Sequence, residues 1–156
     1  MPAPPTPIGL HLARVARTVS RAFDQALAEA GGSRPMWLVL LNLKINPTAN
    51  QRELAEAVGI GEATLTHHLS ALESDGLLTR RRGERNRRIH VLELTDAGKA
   101  AFVRLRDAAL AFDTRLRAGL NPNEIETAAR VLQRLADNVG PAEDPTPRAG
   151  LIERTP

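Results

Sequence analysis

Residues Glu53 to Arg80 read ELAEAVGIGEATLTHHLSALESDGLLTR. Two short segments with helical apolar spacing flank the glycine-containing turn GIG, and the second ends at Asp75-Gly76, a signal for a left-handed stop. Immediately afterwards the period changes. LLTR and IHVLEL are short, rich in branched aliphatic residues and joined by the glycine-containing basic run RRRGERNRR, which predicts a β-hairpin. Two helices joined by a tight turn and followed by a basic hairpin make a winged helix-turn-helix. Ala55 and Gly59 are small where the two helices approach and the chain turns. Leu54, Val58, Leu65, Leu69 and Leu72 supply the apolar contact between them.

Working outward, the charge is unevenly placed. The chain has 156 residues and a net charge of +3. Arg80 to Arg88 alone holds six arginines and one glutamate, or +5, so the rest of the chain carries −2. Such a concentration of charge implies a polyanionic partner. Arginine outnumbers lysine nineteen to two, and guanidinium groups contact phosphate bidentately. There is no cysteine, which excludes a disulfide framework, a thiolate metal site and a thiol switch within this chain. No run of about eighteen apolar residues predicts a membrane span. MPAPPTP lacks the layout of a secretory signal, so the cytoplasm is the expected compartment.

The rest of the chain is mainly helical. Residues 1–7 and 140–156 are rich in proline and are expected to be flexible tails on a single domain at 8–139. Ile8, Leu12, Val15, Val19, Phe23, Leu27 and Ala30 form one helical stripe within 8–30. After GGSRP, MWLVLLNLKI is apolar on nearly all sides and predicts a helix central to the core. Thr48 to Gln51 has the form of a capping box opening the first helix of the pair. Thr95 is placed to cap a fifth helix with a stripe at Ala101, Leu105, Ala109, Phe112 and Leu116. Asn121-Pro122-Asn123-Glu124 combines a cap, a first-turn proline and a capping acid before a last helix carrying Ile125, Ala128, Leu132, Leu135 and Val139. The fold class is mainly α with a small β-hairpin wing: a winged helix-turn-helix at about 36–94, with helices at about 8–30 and 95–139 for dimerisation. Those outer stripes are more than one small winged helix can bury alone.

Away from the leucines, the second helix of the pair shows Glu62, Ala63, Thr64, Thr66, His67 and Ser70. These are small or polar residues able to approach base edges in a major groove about 12 Å wide. Arg82, Arg85, Arg87 and Arg88 of the hairpin are the residues for phosphates or the adjacent minor groove. Double-stranded DNA is the partner this pattern implies.

The segments ELAEAVGIGEATLTHHLSALESDGLLTR and RRIHVLELTDAGKA resemble the MarR family of bacterial transcriptional regulators, as do the LT-x-x-G start of the fifth helix and the closing GLNPNEIETAARVLQRLADNV. The resemblance spans about residues 8–139. It implies a homodimer interlocked through the first and last two helices, acting on a near-palindromic operator, commonly as a repressor. It also implies release by a small aromatic or phenolic effector held between the dimerisation helices and the winged part, a region matched by His11, Arg14, Met36 and Trp37. One hallmark departs. The family wing carries Asp-x-Arg where this chain has Asn86 and Arg88, so Arg88 keeps the minor-groove arginine while the aspartate that orients the wing is replaced.

Other classes of function fit less well. No serine or cysteine nucleophile motif, phosphate loop or paired-histidine motif points to an enzyme, and no cofactor is implied. A metal-responsive regulator would need ligands from His11, His67, His68 and His90, none of which form an i, i+4 pair; metal removal would decide it. An architectural DNA binder would keep the basic wing without a readable helix face. The ratio of specific to non-specific affinity separates that reading from a sequence-specific one.

Overall fold

The computed structural model describes residues 7–47, 50–82 and 90–140. The elements run α1 (Ile8–Glu29), α2 (Arg34–Ile45), α3 (Gln51–Val58), α4 (Glu62–Ser74), β1 (Leu78–Arg82), β2 (His90–Leu94), α5 (Asp96–Leu116) and α6 (Pro122–Val139). The two strands pair antiparallel, Leu78 opposite Leu94 and Arg82 opposite His90. This is the mainly helical fold with a β-hairpin that the apolar periods predict. The expected flexible tails at 1–7 and 140–156 lie outside the described residues except at Pro7 and Gly140.

Two apolar clusters hold the chain together, and α2 lies between them. One face of α2 sends Val39 and Leu43 into a cluster with Leu54, Leu65, Leu69 and Leu92. Another face sends Trp37, Leu40 and Leu41 against Leu27 of α1 and Phe102 and Leu105 of α5. That double duty is why α2 carries apolar residues nearly all round. Arg34, at its start, ties α2 to α1. Its Nε lies 2.8 Å from Asp24 Oδ1, its Nη2 donates to Ser20 O at 2.8 Å, and its guanidinium lies over the Phe23 ring.

Helix starts follow local chemistry, with two corrections. α2 begins at Arg34, two residues before the expected MWLVLLNLKI, because Ser33 caps it and Pro35 is tolerated in the first turn. The capping box of α3 is Asn50 with Glu53, not Thr48 with Gln51. Asn50 Oδ1 accepts from Glu53 N at 2.9 Å, and Glu53 Oε2 accepts from Asn50 N at 3.0 Å. A carboxylate is the stronger acceptor and favours the positive end of the helix dipole, so the register with glutamate at the third position wins. Thr48 lies outside the described residues. The other two caps are as expected: Thr95 accepts from Gly98 N, and Asn121 and Glu124 form a reciprocal box on α6.

The outer stripes are where a single chain falls short of its own sequence. In α1 only Leu27 is buried, while Ile8, Leu10, Leu12 and Val15 are exposed. α5 buries Ala101, Phe102, Leu105 and Ala109 but leaves Leu116 exposed. α6 buries none of its residues, and its Val131 and Leu132 are each 49% exposed.

Candidate nucleic-acid interface

The leucine spacing of α4 decides which of its faces is free. Leu65 and Leu69 are fully buried and Leu72 nearly so, packed in one cluster with Leu54, Ala55 and Val58 of α3. The turn between the helices needs Gly59, whose φ of +77° closes α3 with its N–H donated to Ala55 O at 2.9 Å. With the leucines inward, Glu62, Ala63, Thr64, Thr66, His67 and Ser70 are all exposed on α4. His67 faces solvent and His68 is half-buried, which settles which of the adjacent histidines belongs to the open face.

Two of these side chains are already engaged. Thr66 Oγ1 donates to Glu62 O at 2.8 Å and accepts from Gln51 Nε2 of α3. Ser70 Oγ accepts from Arg80 Nη2 of β1 at 3.1 Å. Arg80 Nε also lies 3.2 Å from Glu73 Oε2, a charge contact without hydrogen-bond geometry. Arg80 thereby braces the start of the hairpin against α4. In sequence Gln51 has only a capping-box spacing and Arg80 only a place in a basic run, because Gln51 touches α4 only through the packing of α3 and Arg80 through the seating of the hairpin.

Strand alternation sorts the arginines of the hairpin. Leu78 is buried under the sheet and Arg80, two residues on, leans on α4 from the same face. Arg81 points the other way and pairs with Glu93 across the hairpin. An exposed pair of this kind contributes little to stability, and it leaves the guanidinium on the surface. Arg82 closes β1. Arg85, Arg87 and Arg88, with Asn86 between them, lie outside the described residues.

The four residues matched to an effector pocket fall into two groups. His11 and Arg14 are exposed on α1, with Arg14 Nη2 3.2 Å from His11 Nδ1. Trp37 is only 2% exposed and stacks on Phe102, ring centroids 5.8 Å apart and planes 15° apart. Met36 is half-buried and packs against both apolar clusters. Trp37 is thus a core side chain of the single chain, because α2 is packed on two sides. Trp37→Phe is expected to cost about 1–2 kcal/mol of stability, read as a lower thermal midpoint, with the salt dependence of DNA binding unchanged. A cleft of about 450 Å³ lies elsewhere, between α1 and α5, lined in part by Ala26, Glu29, Phe112 and Arg115.

Among the described residues no three histidine or acidic side chains are grouped to hold a metal, and no helix is long and apolar enough to cross a membrane.

The MarR family model matches residues 33–90, from the cap of α2 to the first residue of β2. The transcriptional repressor CouR, solved bound to a 23-mer DNA duplex, is 32% identical over 83% of this chain and 92% of its own, with a TM-score of 0.73. The PcaV transcriptional regulator from Streptomyces coelicolor, solved with its natural ligand, is 25% identical over 87% of this chain and 99% of its own, with a TM-score of 0.70. The MarR family transcription regulator SP03579 shares the fold at a TM-score of 0.73 and 20% identity, over 92% of this chain and 89% of its own. Its family-model match and its identity to CouR over most of both chains place this chain in the MarR family of transcription regulators, which are not enzymes.

Proposed function

We propose that this regulator binds a specific, near-palindromic operator as a homodimer, acts as a repressor in the cytoplasm, and is released by a small aromatic or phenolic ligand. The observation that carries the reading is the α4 face. Its leucines are spent on the core, leaving Ala63, Thr64 and His67 exposed beside a hairpin whose first strand ends in three consecutive arginines. An α-helix so presented fits a major groove, and Arg82, Arg85, Arg87 and Arg88 would then reach the flanking phosphates or minor groove. Asn86 stands where the resemblance places the aspartate that orients the wing, and both it and Arg88 lie outside the described residues.

The dimer rests on the uncovered apolar side chains of α1, α5 and α6, which a second copy would bury. Two recognition helices set about 34 Å apart would read half-sites about 10 bp apart, which is why the operator should be a near-palindrome. Repression and the binding of a ligand are supported by analogy with CouR, a repressor solved on DNA, and PcaV, solved with its natural ligand. In such a dimer His11 and Arg14 would supply cationic or hydrogen-bonding groups to an aromatic carboxylate, with Met36 and Trp37 as the apolar residues matched to the same pocket.

Two sets of substitutions test the division of labour. Arg85→Ala or Arg88→Ala is expected to weaken binding to any duplex and to reduce the salt slope by about one unit. His67→Ala is expected to lose about 1–3 kcal/mol on the operator only, with relaxed preference at particular base pairs. Equal losses on operator and random DNA from His67→Ala would remove α4 from the reading role.

A further inference from the structure

The hydroxyl of Thr66 has one proton, and it is donated to Glu62 O at 2.8 Å. Thr66 can therefore meet Gln51 only as an acceptor, which fixes the Gln51 amide with Nε2 toward Thr66. Two consequences follow for the surface. Thr66 has no O–H left to donate to a base. Gln51, by contrast, uses one of its two N–H groups here and keeps a second N–H and Oε1, the donor–acceptor pair that matches the major-groove edge of adenine. Gln51 opens α3, fifteen residues from Thr66 in sequence, and the bond between them crosses from one helix of the pair to the other.

We propose that Gln51 is a specificity-determining residue of the DNA surface, held in its reading orientation by Thr66, so that the two side chains act as one unit. This rests on α4 being the reading helix. Thr66 is the positioning partner, and its hydroxyl matters for what it holds rather than for what it touches. A glutamine that merely bound a phosphate would strengthen binding to all sequences equally. A glutamine aimed at a base edge strengthens binding to one sequence.

The test uses the full chain, a duplex that the unaltered protein selects from a random library, and a shuffled duplex of the same composition. Gln51→Leu and Thr66→Val should each lower affinity for the selected duplex about tenfold, the low end for a lost bidentate base contact, and change the shuffled duplex by less than about twofold. The double variant should be no worse than either single one, because both remove the same unit. Thr66→Ser keeps the hydroxyl and should stay within about threefold of the unaltered protein. Equal losses on both duplexes, additive losses in the double variant, or a Thr66→Ser variant as weak as Thr66→Val would each overturn the proposal while leaving α4 as the reading helix. If the unaltered protein selects no sequence, the reading of α4 falls, and this proposal with it.

Discussion

Replacing Gly98 with alanine is expected to remove more than about 3 kcal/mol of stability, beyond the usual cost of an over-packed site. A Cβ at this position would lie 1.8 Å from Leu77 O and 2.9 Å from Leu77 C. The obstacle is backbone, with no rotamer to move aside. It is also an engaged part of the backbone: Leu77 O accepts from Thr95 N at 3.1 Å, Thr95 Oγ1 donates to Gly76 O at 2.6 Å, and Gly98 N donates to Thr95 Oγ1 at 3.0 Å. Moving α5 away to admit a methyl group would loosen all three bonds and the packing of Phe102 and Leu105 beneath them. At about 2–4 °C per kcal/mol for a chain of this size, the thermal midpoint should fall by more than about 6 °C. A shift under 2 °C would mean that α5 does not sit against the Leu77 carbonyl.

Leu132→Asp should have the largest effect on DNA binding. Leu132 is 49% exposed in the single chain, so the charge costs the isolated fold little, yet it would stand in the middle of an uncovered apolar face. In a dimer built on that face the carboxylate would be buried against apolar neighbours without a partner. The variant is expected to be monomeric at micromolar concentration by light scattering. Its affinity for a two-half-site duplex should fall by about a hundredfold or more, since the second half-site no longer binds as part of the same complex. A variant that stays dimeric with full affinity would place the interface away from α6.

How much of this was legible in the sequence depends on how local each signal is. The left-handed Gly76 that stops α4, the Thr95 cap and the Asn121–Glu124 box each depend on residues within four positions of the backbone they serve, and each lies where its residues imply. The α3 cap shows the limit of local reasoning. Thr48–Gln51 and Asn50–Glu53 both have box-like spacing, and only the relative strength of amide and carboxylate acceptors separates them. The role of Gly98 was visible as a motif, but its reason, the Leu77 carbonyl twenty-one residues earlier, was not. Likewise Gln51 on Thr66 and Arg80 on Ser70 join different elements, and no periodicity within one element predicts such contacts. Trp37 could have been core or pocket by type, and the packing of α2 on both faces makes it core. The stripes of α1 and α6 were correctly read as apolar. What the single chain adds is that it leaves most of them uncovered.

If α4 reads base edges, this chain distinguishes sequence rather than responding to charge alone. A titration near physiological salt of the unaltered protein, against the best duplex recovered from a random library and against a shuffled duplex of equal composition, separates the two. A preference of about a thousandfold or more is expected for a sequence-specific regulator. Similar and steeply salt-dependent affinity for both duplexes would contradict it, and would leave the basic hairpin as a phosphate clamp on an architectural DNA-binding protein.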